Sequence, residues 1–189
     1  MVIYAAKSSR LFLETMSIDD HSESYHWLMS NEASMMWSVR KPDATKAESL
    51  ENMRKYLPSP DEPWNERWVI MLKGEKEDVK PKMIGTVGIV REVEIGYRIH
   101  PDYWGKGYMS EALTMFLDMW WGLGVSQKYT RLAAAADPDN IASTRILLKH
   151  GFIKGEYKKD YYARAFLGGE VKSDLQHFYL DRPVLTEKV

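Results

Sequence analysis

Apolar and polar residues alternate in short runs along much of this chain, and the period lengthens to that of a helix at a few defined places. Leu11, Leu13 and Thr15 alternate with Phe12 and Glu14, the pattern of a short strand. The next run, "SIDDHSESYHWLMS", carries Tyr25, Leu28 and Met29 at helical spacing behind the cap candidates Ser17 and Asp19. "TKAESLENMRKYL" predicts a second helix with Leu50, Met53 and Leu57 on one face, and Thr45 to Glu48 has the spacing of a capping box. The prolines of "LPSPDEPW" cannot continue a helix and predict a loop.

Three strands follow. "RWVIML" (67–72) and "KMIGTVGIV" (82–90) are joined by the charged, solvated linker "KGEKEDVKP", and "EVEIGYRIH" (92–100) is reached through a tight turn. From Ser110 the period changes, with Leu113, Phe116, Leu117 and Trp120 forming a helical apolar face. "RLAAAA" predicts a small-residue strand, and "DNIASTRILLKHGF" a helix with Asn140 as N-cap and Gly151 as its terminal glycine. A closing antiparallel pair is expected around "LGGE". The order is strand, two helices, three strands, helix, strand, helix, two strands. It predicts a mixed α/β single domain over residues 1–189, without internal repeats.

Composition narrows the chemistry. Hydrophobic residues are 44% and charged residues 28% of 189, enough for a real core. The net charge of −1 gives no bulk reason to expect nucleic acid or an anionic membrane as a partner. There are no cysteines, which removes disulfides, thiolate catalysis and cysteine-bound metal. The opening "MVIYAAKSSR" is too polar for a signal peptide, and "LTMFLDMWWGLGV" is too short for a span and carries Asp118. A cytoplasmic location is expected. Five histidines, at 21, 26, 100, 150 and 177, have no metal-ligand spacing, so no metal site is expected.

The stretch "HPDYWGKGYMSEAL" (100–113) places Gly105 and Gly107 just before a helix start. Unpaired N–H groups and the helix dipole there favour an anion, and the glycines allow close backbone approach. A simple glycine turn before a helix reads the same way. The P-loop pattern GxxxxGK[ST] does not occur, and position 110 is serine where a dinucleotide fingerprint needs its third glycine.

Read with its surroundings, the run from Glu94 to Leu113 resembles the acetyl-CoA-binding strand, loop and helix of the GNAT N-acetyltransferases. Asp137 to Ser143, ending in Lys149-His150-Gly151-Phe152, is similar to their second motif. Ser9 to Leu13 resembles the start of one branch, the ribosomal-protein alanine/serine N-acetyltransferases. The likeness spans about residues 9–182, with its motif core at about 92–155.

The resemblance implies the GNAT fold: a mixed, mostly antiparallel sheet splayed at the cofactor strand and flanked by about four helices. It implies acetyl-CoA as cosubstrate, with Trp104, Gly105, Lys106, Gly107, Tyr108 and Met109 as the pyrophosphate loop. Trp104 stands where the family pattern has Gln or Arg, and Met109 where it has a small residue. Backbone donors tolerate both changes. Ile99 would pair its main chain with the pantetheine arm, as an added strand does. Asn140 would bond pantetheine, or merely cap its helix.

Transfer to an amine needs an acceptor for the amine proton and a partner for the departing thiolate. By resemblance Glu94 is the carboxylate expected to take the proton, with Asp160 as its rival. The tyrosine that many relatives place seven residues after the motif asparagine is Leu147 here. By resemblance to the ribosomal-protein branch, which retains a serine at Asn-x-x-Ser, Ser143 would bond the thiolate or else cap its helix, with Tyr161 and Tyr162 as fallbacks or packing residues. "MMWSV" (35–39) and Trp64 would border the acceptor site or belong to the core, and Trp120-Trp121 reads as core.

The expectation is therefore an acetyl-CoA-dependent N-acetyltransferase acting by direct transfer, since no cysteine can carry an acyl group. The acceptor is a protein N-terminus or a small-molecule amine. The protein is expected to be a monomer or homodimer. The alternative is a catalytically silent CoA-binding sensor or scaffold, favoured by the missing tyrosine at 147.

Overall fold

Ser17 starts the first helix: its side chain accepts the N–H of Asp20, and α1 (Ile18–Met29) buries Tyr25, Leu28 and Met29. This computed structural model describes residues 4–76, 78–168 and 171–184. Thr45 opens α3 (Lys46–Lys55) in the same way, accepting the N–H of Glu48 at 3.2 Å. Glu48 returns a bond of 2.8 Å to the N–H of Ala44 rather than of Thr45, so the capping box is shifted by one residue in its return arm. Between these helices lies one turn, α2 (Glu32–Met35), capped by Asn31. Four residues are too few to show a period, which is why the pattern does not predict it.

Among the described residues eight strands form one sheet: β1 (Ala6–Lys7), β2 (Leu11–Thr15), β3 (Arg67–Leu72), β4 (Lys82–Arg91), β5 (Glu94–Ile99), β6 (Arg131–Ala136), β7 (Ile153–Ala163) and β8 (Lys172–Asp181). Their order across the sheet is β1-β2-β3-β4-β5-β6-β8-β7. Neighbours are antiparallel except β5 and β6, which run parallel and meet only at Glu94 and Ala133. Beyond that pair the two strands diverge. Within the closing hairpin, residues 169 and 170 of the "LGGE" turn lie outside the described residues.

Helices α4 (Tyr108–Trp120) and α5 (Ile141–Lys149) cover one face. There Leu113, Phe116 and Trp120 are fully buried against Ile70, Ile89 and Leu132 of the sheet. Burying side chains of this size contributes roughly 1.5–3 kcal/mol each. Trp121 is only partly buried and lies under the Arg182 guanidinium at 4.7 Å, while Trp64 packs on the same core. The other face carries α1, α2 and α3 over a methionine-rich core that includes Met29, Met35, Met53 and Met83. The described residues thus form five α-helices, one more than expected, the extra one being α2. No helix among the described residues is long and apolar enough to cross a membrane.

Candidate active site

Where β5 and β6 part, a cleft of about 940 Å³ passes from the α4/α5 face of the sheet towards α2. One wall is β5 and the loop that leads into α4, and the other is Ala134–Ala136 with the first turns of α5. Met36 to Val39 close the α2 end, so of the "MMWSV" run only Met35 is core.

Loop 104–109 turns on two glycines with positive φ, Gly105 at 72° and Gly107 at 78°. Gly107 is the N-cap of α4 and offers no side-chain cap. Glu111 is the first residue of the helix whose N–H is taken, by the Gly107 carbonyl at 3.1 Å. The amides of Tyr108, Met109 and Ser110 therefore face the cleft mouth without a carbonyl partner among the described residues, and the dipole of a 13-residue helix stands behind them. Met109 buries its side chain in the core. Its amide is left to the loop. Lys106 folds back, its ammonium donating to the Asp102 carbonyl at 2.8 Å.

Trp104 has a defined job in this loop. Its indole N–H donates to the Ile99 carbonyl at 2.8 Å. His100 donates its N–H to Ile84 of β4, so the alternation of an antiparallel strand turns the main-chain groups of Tyr97 and Ile99 the other way, into the splay. The Ile99 carbonyl is engaged by Trp104, and its N–H is left facing the gap.

Glu94 lines the cleft at the one point where β5 touches β6. Its carboxylate is held by Arg91 across the hairpin, with Nη2 to Oε1 at 2.5 Å and Nε to Oε2 at 3.3 Å. The Glu94 side chain keeps 18% of its surface exposed. Ser143 is in the first turn of α5, where Asn140 caps the helix by accepting the Ser143 N–H at 3.1 Å. Asn140 lines the cleft as well, so its amide nitrogen remains to be offered. Leu147 is buried in the core.

The structure adds a residue that the sequence reading missed. Tyr97, from β5, reaches across the splay to place its hydroxyl 2.7 Å from Ser143 Oγ. Burial pushes the Tyr97 phenol up to about 12, opposed by its bond to Ser143, so it is neutral at physiological pH. A tyrosine in a strand looks like packing in the sequence. Only the alternation that puts it on the α4/α5 face, opposite a first-turn serine, could have singled it out.

Asp160 is elsewhere. It sits at a bulge of β7 with φ 48°, donates its N–H to Asp174 at 2.8 Å, and does not line the cleft. Its neighbours Tyr161 and Tyr162 do line it. The Tyr162 hydroxyl donates to buried Asp137 at 2.8 Å, and burial and that bond hold the phenol far above its usual range. Glu94, Ser143, Asn140, Ile99 and the loop thus share one cleft, and Asp160 stands outside it.

Comparison with known proteins agrees with this fold. Residues 10–153 match the acetyltransferase (GNAT) domain family. The chain is 27% identical over 162 residues to the uncharacterised N-acetyltransferase YoaA of Bacillus subtilis, covering 82% of this chain and 86% of that protein. The fold is shared with a GNAT-family acetyltransferase from Bacillus anthracis, at a TM-score of 0.74 and 21% identity over 95% of this chain and 98% of that one. It is shared also with RimL, a ribosomal L7/L12 alpha-N-protein acetyltransferase solved with coenzyme A, at a TM-score of 0.77 and 16% identity over 95% and 98% of the two chains.

Proposed function

This chain belongs to the GNAT acetyltransferase family, and we propose that it transfers the acetyl group of acetyl-CoA directly to a primary amine within a ternary complex. The observation that carries this reading is the meeting of three groups in one cleft. These are the unpaired amides of Tyr108 to Ser110, the Glu94 carboxylate, and the Tyr97–Ser143 hydroxyl pair. The amides and the α4 dipole suit the diphosphate of CoA. The free N–H of Ile99 and the main-chain groups of Tyr97 suit the amides of pantetheine, as a strand edge suits an added strand.

The amine lone pair attacks the thioester carbonyl, the C–N bond forms, and the C–S bond then breaks. A free alkylamine, with pKa about 10.4, must first lose a proton. That first proton goes to solvent, and Glu94 accepts, directly or through a water, the proton the nitrogen sheds as the C–N bond forms, with its orientation set by Arg91. Ser143 donates a hydrogen bond to the departing thiolate. When Tyr97 donates to Ser143 Oγ, the serine's own proton is free to point into the cleft. Tyr97 thereby fills, from strand β5, the place left by leucine at 147 on helix α5.

The acceptor is a protein N-terminus or a small-molecule amine. Incubation with acetyl-CoA and a panel of amines and N-terminal peptides, following release of free CoA, tests the reading. Amine-dependent release supports it. Tight CoA binding without turnover on any amine favours a sensor or scaffold instead.

A further inference from the structure

We propose that the amine acceptor carries an oxyanion, a carboxylate or phosphate, and that Arg98 receives it on the α2 side of the cleft. The inference rests on the N-acetyltransferase reading above.

Alternation along β5 puts Glu94, Gly96 and Arg98 on one face of the sheet, and all three line the cleft. Arg98 pairs in register with Thr86, and beside it runs the row Arg67, Gly88, Gly96. Among the described residues the hydrogen-bond partners of the Arg98 guanidinium are the thioether sulfurs of Met29, at 3.2 Å, and Met35. Thioethers are weak acceptors, and a guanidinium has five N–H donors to satisfy. No described carboxylate lies within ion-pair distance of it.

The surroundings repeat the pattern. Arg67 has a buried Nε without a partner, and its guanidinium rests on the Tyr56 ring at 3.8 Å. Ser34 lines the same end of the cleft, with its buried hydroxyl also unpartnered. Arg10, Arg40, Arg91, Arg131 and Arg164, by contrast, each stand beside a carboxylate. A half-buried cation whose only described protein partners are sulfurs leaves its charge unanswered on the cleft side. An oxyanion would do so, because it accepts the fork of a guanidinium in two parallel bonds. Burial also lowers the Arg98 guanidinium, to about 10, which leaves it charged at neutral pH.

Glu94 and Arg98 are four residues apart on a strand, roughly 13 Å between Cα atoms, and both side chains stand on the same face of the sheet and line the cleft. Gly96 puts no side chain between them. An acceptor with its amine towards Glu94 and its oxyanion towards Arg98 fits that line, as an amino acid or a short derivative does. Two arginines without carboxylates disfavour a polycationic amine.

The test compares matched pairs by calorimetric binding to the CoA-loaded protein and by acetyl transfer from acetyl-CoA. The pairs are lysine with cadaverine, β-alanine with ethylamine, and phosphoethanolamine with ethanolamine. The anionic member of at least one pair is expected to bind roughly tenfold tighter or more, the worth of a charge-assisted hydrogen bond. The first two pairs against the third separate carboxylate from phosphate. Arg98→Met should abolish the difference, and Arg98→Lys should keep part of it. Equal binding in every pair, or a preference that survives Arg98→Met, overturns the proposal. Arg98-dependent anion binding without acetylation of any amine sustains an oxyanion site at Arg98 but removes the N-acetyltransferase reading, and with it the assignment of that oxyanion to an amine acceptor. Acetylation of neutral amines with no Arg98 dependence does the reverse.

Discussion

Arg10 and Glu111 are bound to each other across 101 residues of chain, with Arg10 Nε donating to Glu111 Oε2 at 2.7 Å. Arg10 Nη1 donates at the same time to the Lys106 carbonyl at 3.0 Å, and its guanidinium lies over the Tyr108 ring at 4.5 Å. Burial alone would raise the Glu111 carboxyl. Bonds from Ser8 and Arg10 and the Arg10 charge bring it below its ordinary value instead. The N-terminal strand region thus ties down both sides of the glycine loop.

Arg10→Ala should loosen that loop without touching the reacting atoms. The expected result in steady-state kinetics is an acetyl-CoA KM raised roughly three- to tenfold with kcat nearly kept, since a charge-assisted bond is worth about 1.5–3 kcal/mol and Arg10 is partly solvated. A fall in kcat with KM unmoved would count against a positioning role.

Tyr97→Phe and Ser143→Ala should each lower kcat, by roughly 10- to 100-fold, through loss of the hydrogen bond to the leaving thiolate. Because the two hydroxyls are 2.7 Å apart and act as one unit, the double variant should lose little more than the worse single one. Rapid-quench turnover measurements on the three variants decide this, and full additivity would separate their roles.

Glu94→Gln should reduce kcat by roughly 10²–10⁴-fold while leaving the acetyl-CoA dissociation constant within about twofold. Asp160→Asn should change turnover by less than about twofold, because Asp160 lies on β7 outside the cleft. Turnover of both variants at saturating substrate is the measurement. If Asp160→Asn proves the slower, the base is the rival carboxylate.

Alkaline stability gives a check that needs no substrate. Tyr97 and Tyr25 are each pushed by burial from 10.0 to about 12 in the folded chain. Between those values the unfolded chain has released protons that the folded chain still holds, so stability falls as pH rises. Below pH 10 the full contribution is present. Denaturant unfolding from pH 9 to 12 should show a loss on the order of 2–3 kcal/mol per buried tyrosine. Tyr97→Phe should remove one such share of the fall and leave those of Tyr25 and Tyr162.

Several of these features were legible in the sequence, and the reasons are local. Ser17, Thr45 and Asn140 announce helix starts because a capping oxygen acts within its own turn. Strand β6 and helix α4 show their burial in their period, and Gly105 and Gly107 mark a turn that needs positive φ. The resemblance at Glu94 to Leu113 and Asp137 to Phe152 pointed to the same loop and cap that line the cleft. These are properties of a few neighbouring residues, so a linear reading reaches them.

Other features exist only once distant segments meet. The cleft forms because β5 and β6 touch at a single pair, Glu94 and Ala133, and then diverge. No periodicity in either strand encodes that angle. Tyr97 faces Ser143 across 46 residues, and Arg10 reaches Glu111 across 101. Arg98 is set apart from the paired arginines by what is missing around it, a carboxylate that another element could have supplied. Local geometry and chemical type were determined by the sequence read alone. Tertiary structure decided which charges are answered and which side chains share a cavity, because contacts and desolvation depend on distance in space.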